Sequence, residues 1–282
     1  MTGLATLERS WAGSEARGSF DHMNDLRMNN LALKDLRILD LTQVAVGPYT
    51  TFLLGFMGAE VIKVEPLEGD EARRMGPFPS DSPHPEKSGL FLAMNANKYG
   101  VSLDLASPDG AEAFKGLAAG ADIVVENPPP GSLEAHGLGY ETLKTINPGL
   151  IFTSVTPFGN RGPYKYFKAT DLVLYHMSGH AHGLLGAVEN PDSNPPIRAG
   201  GHQAELVGGM AAATATLMAL YRKRITGKGC RIDISSFEAM VNQLISGLAN
   251  CAYGRPAPPR DARKVEEAAA AGIVSAIGGI LP

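Results

Sequence analysis

Leu36-Arg37-Ile38-Leu39-Asp40-Leu41 runs into Thr42-Gln43-Val44-Ala45-Val46-Gly47-Pro48. After an apolar stretch to Met57 come Gly58-Ala59-Glu60 and Val61-Ile62-Lys63-Val64-Glu65. The first run is short and apolar, as a buried strand is. Thr50 to Met57 has the apolar spacing of a helix, Gly58-Ala59-Glu60 ends it, and Val61 to Glu65 reads as a second strand. Strand, Gly-bearing loop, helix and strand make a βαβ unit and predict a parallel sheet. Ligands bind such sheets at the carboxyl ends of the strands, so Gln43 to Gly47 is a candidate contact loop. A G-x-G-x-x-G fingerprint is absent, which argues against a nicotinamide or flavin dinucleotide.

Outward from this unit the alternation continues. Strands are expected at 101–105, Ile123–Asn127 and Leu150–Val155, with helices from Pro108 to about Ala119 and over about 140–146. Ser107 is a suitable N-cap, Pro108 suits the first helical position, and Pro128, Pro129 and Pro130 halt the strand Ile123–Asn127. Residues 66–88 hold five prolines and read as a long surface loop. Across 36–156 the pattern is that of a Rossmann-like α/β layer. Beyond Pro157 the chain turns Gly- and aromatic-rich, then predicts a long helix over 206–224, a strand over Arg231–Ile234 and a helix over Phe237–Ala252. Residues 1–30 lack hydrophobic period and read as an extension or poorly ordered arm. The tail from Arg255 shows no closing element.

Composition removes several function classes. The chain of 282 residues is 44% hydrophobic and 19% charged with net charge −4, too acidic for a nucleic-acid binder. No run of about eighteen uninterrupted apolar residues predicts a membrane span, and the charged N-terminus is no signal peptide; a cytoplasmic protein is expected. Cys230 and Cys251 suit reduced thiols, and the seven histidines lack ligand spacing, so no metal is expected.

Glu205 stands before Gly208, Gly209 and a small-residue run that ends near Arg222. A Glu in the first turn of a helix can face solvent and complement the dipole. Beside two glycines it can instead be an acid in a crowded place where backbone approaches something closely. Residue chemistry leaves both readings open.

Several segments in this order resemble one family: Leu39-Asp40-Leu41-Thr42 with Gly47-Pro48, Gly58 to Glu65, Asn95-Ala96-Asn97-Lys98, Val125-Glu126-Asn127, Gly137-Leu138-Gly139-Tyr140, Asn147-Pro148 and Thr226-Gly227-Lys228-Gly229. The set, spanning about 34–245, is similar to the class III (CaiB/BaiF-type) coenzyme A transferases. The resemblance implies a Rossmann-like large domain over 31–245, the start of a truncated small domain over 246–282, and homodimers interlocked like links. It implies transfer of CoA from an acyl-CoA to a carboxylic acid, with no permanently bound cofactor. The family's nucleophile is an Asp carboxylate that passes through a mixed anhydride and an enzyme-bound thioester, and its position falls on Glu205. The added methylene moves the oxygen by roughly an ångström, which leaves a working Glu nucleophile or impaired chemistry. Gly208 and Gly209 are expected to let the substrate carbonyl approach, and Asp171 to support the site.

The CoA contacts that the resemblance implies are Gln43, Val44 and Ala45, with Asn97, Lys98, Asn127 and Lys168. Pro128 replaces the family's aromatic, Ala135 its arginine and Pro66 a basic residue, so Arg73, Arg74 or His136 are expected to compensate. Lys168 and Asp171 also have a plain reading as an exposed loop ion pair. The same superfamily contains α-methylacyl-CoA racemases, but their histidine would fall on Thr170, which leaves two-base proton transfer without one partner. A further alternative is a non-catalytic CoA-binding fragment, or one subunit of a split transferase, completed by a complementary C-terminal chain. The segments 177–180 and 187–200 are expected to shape the acyl pocket.

Overall fold

Both faces of β1 are covered, and this explains why Ile38, Leu39 and Leu41 are apolar on either side of the buried Asp40. The computed structural model describes residues 31–184, 188, 190–197 and 199–254. The expected N-terminal arm, the tail from 255 and part of the expected acyl-pocket segment lie outside the described residues. Six parallel strands, β1 (Arg37–Leu41), β2 (Glu60–Glu65), β3 (Tyr99–Ser102), β4 (Ile123–Glu126), β5 (Ile151–Thr156) and β6 (Cys230–Ser235), are ordered β3-β2-β1-β4-β5-β6. This is the doubly wound α/β order, with its switch point between β1 and β4.

Successive strand residues point to opposite faces. Leu39 and Leu41 meet Phe114, Ala118, Leu138 and Leu143 on the side of α3 (Pro108–Ala119) and α5 (Tyr140–Ile146). Ile38 meets Leu54, Ala213 and Leu220 on the side of α1 (Val46–Phe56) and α8 (Gln203–Thr226). Each fully buried Leu or Phe contributes about 1.5–3 kcal/mol. The remaining helices are α2 (Gly89–Met94), α4 (Ser132–Ala135), α6 (Asp171–Met177), α7 (His180–Leu184), α9 (Ser236–Asn242) and α10 (Ile245–Ala252).

The expected caps are in place: Ser107 accepts from the Gly110 N–H and Pro108 opens α3. Several details differ. α1 starts at Val46 rather than Thr50, because Pro48 is tolerated within the first turn. β3 pairs over 99–102, not 101–105; the Leu103 N–H still reaches the Glu65 carbonyl, and then Asp104 turns the chain into α3. The single helix expected over 237–252 is two, with Gln243 and Leu244 between them. The loop 66–88 contains two short 3-10 turns, Glu71–Arg74 and Pro79–Asp81.

By length and composition α8 could cross a membrane. Its small-residue side, Gly208, Gly209, Ala212, Ala213 and Thr216, is instead buried against α1, β5 and α9. Gly227, at φ 70°, ends α8 in the left-handed conformation that favours glycine.

Candidate active site

At the switch point the loops after β1 and β4 clasp each other. The Gln43 N–H donates to Asn127 Oδ1, and Asn127 Nδ2 donates to the Gln43 carbonyl, each at 2.9 Å. Val44 holds φ 68°, a costly conformation for a β-branched residue, of order 1–3 kcal/mol. Its N–H donates to Asp70 Oδ1 at 3.0 Å, while Gln43 Oε1 accepts from the Glu71 N–H at 3.2 Å. Asp70 is itself anchored by Lys63 at 2.7 Å, and Ala45 is buried. Gln43-Val44-Ala45 is therefore a loop fixed from two sides. Beside it opens a cleft of about 330 Å³, lined by Gln43, Glu65, Pro66, Leu103, Pro128 and Leu133.

Buried charge holds up this end of the sheet. Asp40 accepts from Lys98 at 2.9 Å, from Thr51 at 2.6 Å and from the Thr42 hydroxyl. Burial alone would raise its pKa, but Lys98, Lys63 and the two hydroxyls outweigh it and hold the carboxyl well below the usual range. Glu65 behaves likewise: burial is outweighed by two bonds from Arg73, at 2.7 and 2.8 Å, and by the Asp70 N–H. Glu126, the last residue of β4, goes the other way. Burial pushes it up to about 7, against a hydrogen bond from Ser154 and with help from Glu134 and Asp233.

The second half of the site is the start of α8. Asp171, buried at the beginning of α6, accepts from the N–H groups of Ala204 (2.7 Å) and Glu205 (3.3 Å). It thus caps α8 from another helix. Glu205 is partly buried, and its Oε2 lies 2.5 Å from His202 Nδ1. Four residues on, about 6 Å along the axis, Gly209 lies against Val46, the residue that follows the Gln43–Ala45 loop. The α8–α1 crossing therefore brings Glu205 to the same end of the sheet as that loop.

Five readings change. Gly208 and Gly209 do not open space for a carbonyl: an added Cβ would fall 2.4 Å from Ser236 Oγ and 2.6 Å from the Val46 carbonyl oxygen, respectively. They let α8 close on α9 and α1. Lys98 is turned inward, 2% exposed, between Asp40, the Pro48 carbonyl and Asn95, which leaves its ammonium no reach to a ligand. Asn97 stands two residues before β3 and lines a cleft with Lys34, Arg37 and Asp122, at the amino ends of the parallel strands. Arg73 is bound by Glu65 and Glu86 and covers the Phe91 ring at 3.7 Å, so it anchors the loop after β2. Arg74, His136 and Lys168 are exposed. Asp171 does not sit on an exposed loop, for it is 5% exposed and caps α8 from the start of α6.

Reading the sequence assigned no site role to Asp70, Lys63 or His202. A Lys between Ile62 and Val64 in a strand with both faces covered was a signal for the first pair. His202 and Glu205 stand at the N-cap and N3 positions, the spacing of a capping box.

The model of CoA-transferase family III matches residues 33–279. Among curated relatives, the chain is 38% identical over 230 residues to succinyl-CoA:glutarate CoA-transferase of Homo sapiens, covering 81% of this chain and 50% of that protein. It is 36% identical over 211 residues to succinyl-CoA:mesaconate CoA-transferase of Haloarcula hispanica, covering 75% and 53%. Among solved structures, a CAIB/BAIF family protein from Brucella suis superposes with TM-score 0.73 at 33% identity, covering 81% of this chain and 60% of that one. The chain spans about half the length of the curated relatives it matches.

Proposed function

The chain belongs to CoA-transferase family III, and on that premise we propose that it moves coenzyme A from an acyl-CoA thioester to a carboxylic acid with Glu205 as the covalent carrier. One observation carries the assignment. Glu205 is a partly buried carboxylate in the first turn of α8, where Asp171 accepts from the Ala204 and Glu205 N–H groups, at the same end of the sheet as the fixed loop of the switch point.

A Glu205 oxygen attacks the thioester carbonyl, the C–S bond breaks, and the electron pair leaves on the CoA sulfur. The thiolate then attacks the glutamyl carbonyl of the anhydride and releases the donor acid with one Glu205 oxygen. The acceptor carboxylate attacks the glutamyl thioester and expels the thiolate again. Attack of the thiolate on the acceptor carbonyl gives the new acyl-CoA and restores the Glu205 carboxylate. No net proton or electron is consumed, so neither an imidazole base nor a metal is required by this balance.

CoA is assigned to the cleft lined by Gln43, Pro66 and Pro128, next to the loop residues Val44, Ala45 and Asn127, with Lys168 and the exposed Arg74 and His136 as phosphate partners. The names of the relatives direct the first trial to succinyl-CoA with glutarate. The outer side of α8 leaves Met210, Met218, Tyr221 and Ile225 exposed, and we assign it to a second copy of this chain or to a polypeptide carrying the remaining half. A cytoplasmic site of action suits acyl-CoA as substrate.

The test is intact mass after incubation with acyl-CoAs and hydroxylamine. A hydroxamate or CoA adduct in the native chain that vanishes in Glu205→Ala is expected. No adduct in a folded chain that binds CoA, or an adduct that survives the substitution, overturns the assignment.

A further inference from the structure

Glutamate has one more side-chain torsion than the aspartate it replaces, so a Glu nucleophile reaches farther but is less fixed. At this helix start a second side chain removes that freedom. His202 is the N-cap residue of α8, yet its side chain caps no backbone group. Its Nδ1 instead lies 2.5 Å from Glu205 Oε2, with the two side chains 27% and 17% exposed. A carboxylate only accepts hydrogen bonds, so Nδ1 carries the proton. In a capping box the N3 carboxylate reaches back to the N-cap backbone N–H. Here the arrangement is divided: Asp171, from α6, takes the Ala204 and Glu205 N–H groups, and the N3 carboxylate is held by an imidazole. Two acids at one helix start have separate tasks, and His202 serves the one assigned to chemistry.

We propose that His202 is a positioning residue that fixes the Glu205 carboxylate for attack on the thioester and so compensates for the added methylene. This rests on Glu205 being the nucleophile. His202 itself need not touch the substrate. Its hydrogen bond sets the terminal torsion of Glu205, and misplacing a reacting atom by about an ångström costs on the order of 100-fold.

The experiment measures the single-turnover rate of adduct formation from succinyl-CoA, alongside the Kd for CoA, in the full chain. His202→Ala is expected to slow adduct formation roughly 10- to 100-fold with the Kd for CoA unchanged. His202→Asn, whose amide nitrogen takes the place of Nδ1, is expected to restore most of the rate. In a Glu205→Asp background, where the shorter carboxylate draws back from the imidazole, His202→Ala is expected to cost less. A native rate in His202→Ala, with Glu205→Ala inactive, overturns this proposal alone. An equal loss in both backgrounds, or no recovery in His202→Asn, also overturns it, because a merely structural role would behave that way. No adduct in the native chain, or an adduct in Glu205→Ala, overturns the nucleophile assignment and this proposal with it.

Discussion

Glu126→Gln is expected to stabilise the protein at alkaline pH and to leave it unchanged in acid. Glu126 ends β4 beside Asn127, with 7% of its surface exposed, and accepts a hydrogen bond from Ser154. Burial, with Glu134 and Asp233 nearby, moves its pKa from 4.5 to about 7. Below pH 4.5 the carboxyl is protonated whether the chain is folded or not. Between 4.5 and about 7 only the folded chain keeps the proton, so stability falls as pH rises. Above about 7 the full penalty of ionising the buried group stands. A gap of that width corresponds to about 3 kcal/mol. Glutamine keeps an oxygen to accept from Ser154 and never ionises. Urea unfolding followed by circular dichroism at pH 4.5 and pH 8.5 reads the difference between variant and native chain. It should be near zero at the lower pH and approach about 3 kcal/mol at the higher. The same difference at both values would refute the reasoning, because the carboxyl would then not be protonated in the folded chain.

Gly209→Ala puts a methyl 2.6 Å from the Val46 carbonyl oxygen and 3.1 Å from the Tyr49 ring, and backbone cannot swing aside. A loss of about 1–3 kcal/mol is expected from the urea midpoint, and an unchanged midpoint would show that the α8–α1 crossing is looser. Lys98→Met leaves Asp40 buried without its nearest ammonium and should cost about 3–5 kcal/mol at pH 7. The depressed Asp40 pKa stabilises the fold above its ordinary range and loses that contribution as pH falls, so the difference should narrow towards pH 3. A pH-independent loss would count against the ion pair.

The sheet was legible where burial on both faces leaves a strand few polar positions, as in Ile123-Val124-Val125 and, with only Thr153 and Ser154 as exceptions, Leu150 to Val155. β3 was not, because Leu103 and Leu105 extend the apolar alternation past the last paired residue and pack beside the core instead. Glu205 and Asp171 could be singled out from chemistry and family resemblance, and the fold places both at one helix start. Lys98, Asn97 and Arg73 could not be judged from the chain alone. A cation near a candidate ligand loop looks the same in sequence whether it meets a phosphate or a buried Asp40, and that outcome is decided by residues dozens of positions away. Val44 gave no warning either: its left-handed backbone is imposed by Asp70, which lies in a stretch read only as loop.

The most direct measurement follows oxygen. With succinyl-CoA as donor and glutarate labelled with 18O in its carboxylates as acceptor, each completed turnover returns the Glu205 carboxylate with one oxygen from the acceptor. Peptide mass spectrometry after a single turnover should find one 18O in the peptide that contains Glu205, and none when the acyl-CoA is omitted. Transfer with no label in that peptide, or with label in a different carboxylate, would contradict the account.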